Sequence, residues 1–253
     1  MYPFRNRFIC SMLEQILTKP YVHILFGARQ TGKTALLKFL VKAPAIFYNF
    51  ADPEERTRHL ADPGLLKREC LAQPAGPHST IVFIDEAQTV PSVFDAVQAM
   101  YDSDPRRWRF ILCGSSARKL RISGANLLPS RSMLHHLYPL VLSERRGSQD
   151  PFRPLIIKEL APNPPALDSA FPIAPIEDRL AWGELPGIAL APVEDRAALL
   201  KSYAMIHLQE EVRHEATIRN WTGFVNFLRF AALHSGHTIN YSLIAGECGL
   251  AVP

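Results

Sequence analysis

The sequence predicts an α/β protein, a mostly parallel five-stranded sheet flanked by helices, followed by a smaller, mainly helical C-terminal domain. Three observations carry this expectation. Short unbroken apolar runs, such as residues 81–84, alternate with helix-periodic stretches over the first 145 residues, as suits parallel strands covered on both faces. The composition then shifts, with prolines at 151, 154, 162, 164, 165, 172 and 175. Beyond them, residues 197–213 and 221–233 read as helices. The expected division is therefore 1–145 for the sheet domain, 146–176 for a proline-rich linker or excursion, and 177–253 for the C-terminal domain.

Each element has a local reason. Phe8, Met12, Leu13, Ile16 and Leu17 fall at helical spacing, and Pro20 stops that helix. The apolar run 21–26 predicts a strand, residues 27–32 a turn-prone loop, and the Leu-rich stretch 34–41 a helix. Residues 45–50 predict a second strand, ended by Asp52 and Pro53. A helical connection carrying Leu60, Leu65, Leu66 and Leu71 leads to the third strand, 81–84. A helix over 94–100, a fourth strand over 108–113 and a fifth over 138–142 complete the sheet. In the C-terminal part, Phe224, Phe227, Leu228, Ala231 and Ala232 share a helical face and are expected in its core.

Composition narrows the function classes. A net charge of +4, with its cations scattered, gives little support for a nucleic-acid partner. Cys10, Cys70, Cys113 and Cys248 lack the paired spacing of a zinc site or a disulfide framework, which points to a reducing cytoplasm. The N-terminal stretch does not read as a signal peptide, and no stretch approaches the roughly 20 apolar residues of a membrane span.

The chemistry concentrates at two strand ends. Gly27-Ala28-Arg29-Gln30-Thr31-Gly32-Lys33-Thr34, followed by Ala35, matches G-x-x-x-x-G-K-[ST] between a strand and a helix. Glycines let backbone amides turn inward around phosphates, and those amides, the helix N-terminus and the Lys33 ammonium together favour a polyanion. Thr34 would offer its hydroxyl to Mg2+. The third strand ends in Asp85 and Glu86, at the sheet edge where open α/β sheets bind ligands. Asp85 would hold Mg2+ directly or through water, and Glu86 would orient or deprotonate an attacking water. A small-molecule kinase also owns such a loop, but two carboxylates on one strand end favour water as the acceptor.

The order of motifs resembles the prokaryotic AAA-type P-loop ATPases that carry a C-terminal domain of unknown function and a winged-helix-like end. The resemblance rests on the loop, on Phe47-Tyr48-Asn49-Phe50-Ala51-Asp52-Pro53, on Ile84-Asp85-Glu86-Ala87-Gln88 with Val90-Pro91, and on Phe110-Ile111-Leu112-Cys113-Gly114-Ser115-Ser116. It continues through Leu127-Leu128-Pro129-Ser130-Arg131 and Leu137-Tyr138-Pro139-Leu140 with Glu144. It implies a P-loop NTPase sheet, ATP and Mg2+ as ligands, Ser115 or Ser116 as a polar sensor of the γ-phosphate, and Arg131 as an arginine finger. Ala28 stands where the family often has proline, and Ser130 where it usually has glycine before the arginine. Residues 243–250 resemble the opening of a helix-turn-helix and stop three residues before Pro253, which suggests a shortened winged-helix end.

The remaining candidates have plainer readings. His135 and His136 point to opposite faces of a strand, and His207 and His214 lie two helical turns apart, so none of them is expected to bind metal. Cys113 reads as a packing residue. Arg213, His214, Arg219, Trp221 and Arg229 would form a DNA-binding face, against the alternative of a solvated helix. The expectation is thus an ATPase that couples hydrolysis to a conformational change, with further copies of itself or a protein bound through its C-terminal domain as its candidate partners. Two alternatives remain: an ATP-bound switch or scaffold with little turnover, and a DNA-associated ATPase.

Overall fold

The computed structural model describes residues 4–41, 45–74, 76, 79–115, 128–145, 171–208 and 220–250. Five strands form one sheet: β1 (Val22–Phe26), β2 (Ala45–Asn49), β3 (Thr80–Asp85), β4 (Trp108–Gly114) and β5 (Ser132–His136), in the order β2-β3-β4-β1-β5. Every pairing is parallel. Side-chain alternation along the strands divides the core in two. Val22, Ile24, Phe26, Val82, Ile84, Phe110 and Leu112 face α4 (Leu65–Leu71) and α5 (Ser92–Ser103). Leu25, Phe83, Ile111 and Cys113 face α1 (Cys10–Ile16) and α2 (Lys33–Leu40). The helix α3 (Pro53–Ala61) begins where Asp52 caps the Glu54 N–H at 2.9 Å, with Pro53 in the first turn.

One strand differs from expectation. The fifth strand is Ser132–His136, not 138–142. It is an edge strand whose exposed side includes Leu134 and His136, so its sequence lacks the apolar run that marks a buried strand. Residues 138–142 contain Pro139, which cannot donate to a ladder. The expected helical connection after β2 is also two helices, α3 and α4, separated at Asp62–Gly64.

The chain divides into two compact units, 1–197 and 198–253. The first also contains α6 (Ile176–Trp182) and α7 (Pro186–Leu190), and a small cluster there joins Leu140, Phe171 and Ala189. A helix, α8 (Val193–Tyr203), runs across the division and into a π-helical turn, Ala204–Leu208.

The second unit contains α9 (Trp221–Leu233) and α10 (Tyr241–Cys248), capped by Asn220 and Asn240. The expected core face of α9 is not buried: Phe224 and Leu228 are half-buried, and Phe227, Ala231 and Ala232 are exposed. Two packed helices offer too little surface to enclose such a face. No helix among the described residues is long and apolar enough to cross a membrane.

Candidate functional site

The loop after β1 turns twice through the left-handed region, at Gln30 (φ 62°) and Gly32 (φ 91°). The second turn suits glycine because it has no Cβ to clash. Gly27 is fixed by space instead, since a Cβ there would lie 2.3 Å from the Leu137 carbonyl oxygen. The Thr31 hydroxyl closes the loop on itself by donating to the Ala28 carbonyl at 2.8 Å. The buried Lys33 ammonium folds back over the same turn and donates to the Gly27 and Ala28 carbonyls at 2.8 and 2.9 Å. Ala35 follows in the first turn of α2, and Arg29 is half-buried between the exposed Ala28 and Gln30.

Phe83 and Asp85 share one face of β3, the face that carries α2. The Thr34 hydroxyl therefore meets the Asp85 carboxylate, donating to Oδ2 at 2.7 Å. Asp85 is buried, and its Oδ1 accepts the Glu86 N–H at 3.0 Å. A cavity of about 400 Å3 opens beside this pair, lined also by Lys38, Phe47, Asn49 and Phe83. A hydroxyl and a carboxylate beside open space form an oxygen donor set that fits Mg2+, which typically takes one or two protein oxygens and completes its shell with water and phosphate. Nearby, Cys113 is buried in β4, and that burial, reinforced by Asp85, pushes its thiol well above the usual range. It packs as a neutral group.

Glu86 leaves the strand with φ 52° and stands just before a 3-10 turn, Ala87–Thr89. Its side chain meets Gln88, whose Nε2 donates to the Glu86 Oε2 and, at 3.2 Å, to the Ser115 hydroxyl. The Gln88 amide thus joins the acidic residue to the residue after β4. Its Oε1 is buried without a hydrogen-bond partner among the described residues, and a Cβ on Gly114 would stand 2.4 Å from that oxygen. No role for Gln88 is evident in the sequence beyond its place in the family-like phrase 84–88; its position two residues past a strand-end carboxylate is the available signal. Ser116 lies outside the described residues.

Arg131 is not part of this cluster. Its carbonyl accepts the Val22 N–H at 3.0 Å, which places it where β1 and β5 begin, whereas the loop follows their other end. Five residues at about 3.3 Å each separate those edges. The Arg131 guanidinium pairs with Asp102 at 2.5 Å, in an exposed position. From there it faces away from the loop of its own chain. The residue before it, Ser130, has φ 65°, a conformation that suits the glycine usual in the resembled family.

Arg7 is a component that the sequence did not single out. It is buried, and its Nη1 donates to the Thr31 carbonyl within the loop at 2.6 Å. Its Nε pairs with Glu144 at 2.7 Å.

The histidines behave differently from one another. His135 is buried and its Nε2 lies 3.2 Å from the His23 Nδ1, while His136 is exposed and stacks near Phe26 and Tyr138. Among the described residues no group of three or more His, Cys, Asp or Glu is placed to hold a metal ion. His214, Arg213 and Arg219 lie outside the described residues.

Comparison with known proteins adds three findings. A family model described as "AAA domain" matches residues 19–145, half of the chain. Two curated proteins, the uncharacterized proteins Mb2031c of Mycobacterium bovis and Rv2008c of Mycobacterium tuberculosis, are each 31% identical over 140 residues. Those matches cover 55% of this chain but only 30% of either relative, so the chain spans a minor part of the relatives it matches. Among solved structures, a Walker-type ATPase of Pyrococcus abyssi superposes with a TM-score of 0.58 at 17% identity, covering 96% of this chain and 83% of that one. That likeness shows the fold.

Proposed function

This chain belongs to the AAA domain family of P-loop ATPases, and from that premise we propose that it binds magnesium-ATP in the 27–35 loop and hydrolyses it. The observation that carries the reading is the 2.7 Å bond between Thr34 and Asp85, with Lys33, the residue before Thr34, folded onto the turned loop. In the bound state Lys33 would leave the Gly27 and Ala28 carbonyls for the phosphates. Thr34 and Asp85 would hold Mg2+, which supplies charge neutralisation to the β- and γ-phosphate oxygens. Glu86 would orient or deprotonate the attacking water, and Ser115, linked to it through Gln88, would sense the γ-phosphate. Binding strain at this loop would be passed to a partner protein through the C-terminal helices.

The test is a pair of variants. Lys33→Ala removes the ammonium and is expected to abolish tight binding of a fluorescent ATP analogue. Glu86→Gln should bind normally and stop phosphate release. Unchanged affinity in the first variant would overturn the loop assignment, and normal turnover in the second would move the base elsewhere.

A second reading, an ATP-bound switch with little hydrolysis, is favoured by one contact. The Gln88 amide already engages one oxygen of the Glu86 carboxylate, Oε2, and a hydrogen bond donated to a carboxylate makes it a weaker base. Arg131, exposed at the far sheet edge, would act only on the nucleotide of a second copy. A phosphate-release rate per chain that rises with protein concentration would support such an oligomer.

A further inference from the structure

We propose that Arg7 and Glu144 are positioning residues that hold the phosphate loop in its turned shape and tie it to the segment 171–191. This inference rests on the nucleotide reading above for its purpose. Arg7 spends its fork on three places. Nη1 donates to Thr31 O inside the loop, Nη2 to Tyr138 O at 2.8 Å and Pro139 O at 3.3 Å, and Nε to Glu144 Oε1. Both Arg7 and Glu144 are buried. Glu144 is saturated in turn, accepting the Phe8 N–H at 2.7 Å and the Val141 N–H at 2.8 Å. Neither carboxylate oxygen is left to water, and a planar guanidinium fits this set in a way that an ammonium cannot.

The next residue continues the connection. Arg145 lies in the same 3-10 turn, Leu142–Arg145, and is also buried. It donates to the Pro172 carbonyl at 2.9 Å and pairs with Glu184 at 3.4 Å. Glu184 also holds Arg179, and its backbone carbonyl accepts the Leu140 N–H at 2.7 Å. A continuous path of ion pairs and backbone bonds, buried at Arg7, Glu144 and Arg145 and half-buried at Glu184, therefore runs from Thr31, through one short turn, to α6 and the segment leading into α7. A loop carbonyl that shifts when phosphate enters pulls on Arg7, and through Glu144 and Arg145 it shifts the grip on Glu184. This is a coupled element with a stated physical link, as a transmitted state requires.

Amide hydrogen exchange on the full chain tests the proposal, first without nucleotide. In Arg7→Lys and in Glu144→Gln, which keep charge or shape, peptides covering 27–34 are expected to exchange about tenfold faster, while those of β1 and β4 keep their protection. A pair that merely stabilised the fold would lower the urea midpoint and leave the loop's protection relative to β1 unchanged, and that result overturns the proposal. With a magnesium-bound ATP analogue, wild type should gain protection in 171–191. Glu184→Gln should retain the analogue's affinity and lose that gain, and an undiminished gain would sever the proposed path. If wild type fails to bind the analogue, the nucleotide reading falls, yet the nucleotide-free exchange still decides the role of Arg7.

Discussion

The Thr34 hydroxyl and the Asp85 carboxylate, 51 positions apart in the chain, meet at 2.7 Å because α2 and the odd-numbered side chains of β3 share one face of the sheet. A hydrogen bond to an ionised carboxylate contributes about 1.5–3 kcal/mol, which corresponds to roughly 10- to 100-fold in an equilibrium constant. If the pair opens to admit Mg2+, binding must offset that bond, and the loss of an oxygen ligand costs the cation at least as much as the loss of an outer-shell partner, so Thr34→Val and Asp85→Asn should each weaken magnesium-dependent binding of a fluorescent ATP analogue by about tenfold or more. Binding measured in excess chelator should hardly change. Equal losses with and without magnesium would mean that the pair supports the loop and not a cation.

Gln88 offers a sharper discrimination between hydrolysis and restraint. Its amide bridges Glu86 and Ser115, so Gln88→Ala leaves both side chains without their common donor. If the bridge aligns them for turnover, kcat should fall about tenfold, less than the roughly 10²- to 10⁴-fold that a positioned acid or base itself contributes, and KM should stay near its original value. A rise in kcat would instead support the restrained switch. Gly114→Ala should reproduce either effect, because the added methyl would displace the Gln88 carbonyl from 2.4 Å away.

What could be read in advance followed from how local each feature is. The phosphate loop is eight consecutive residues that begin with Gly27 and end in Gly32-Lys33-Thr34, and the Asp85 strand end is a single apolar run, so both were legible. The Arg7 clamp was not, because its partner Glu144 is 137 positions away and only the fold brings them together. The strand at 132–136 was missed because an edge strand shows water one of its sides, and its two histidines hide the apolar alternation. The helix at 221–233 was placed to the residue, yet its apolar face was wrongly assigned to a core. Periodicity reports which face is apolar; it does not supply the partner that covers it.

Gly27 makes a test of how tightly the loop is packed. Since a Cβ would meet the backbone oxygen of Leu137 at 2.3 Å, Gly27→Ala must move either the loop or the chain after β5. Overpacking of this kind costs about 1–3 kcal/mol, and the expected result is a lower urea midpoint together with lost binding of the ATP analogue. Full retention of both would show that the approach of loop and Leu137 relaxes without consequence.

The buried histidine pair makes the fold sensitive to mild acid. Burial lowers both groups, and the neighbouring ring of His23 and then His136 lower His135 further, to about 4. For His23, the bond to the Lys19 carbonyl opposes that effect, and the Arg109 and Lys19 charges add to it. A histidine with a depressed folded value stays neutral in the native state while the unfolded chain takes up a proton below about 6.5. Stability is therefore full above that pH, declines as pH falls from about 6.5 toward 4, and then levels off, with His135 contributing a loss of at most about 3 kcal/mol. In His135→Leu the pair no longer has two rings to protonate, so the decline in the urea-derived unfolding free energy between pH 7 and pH 4.5 should be shallower than in wild type. A variant with the same slope would place the acid sensitivity elsewhere in the chain.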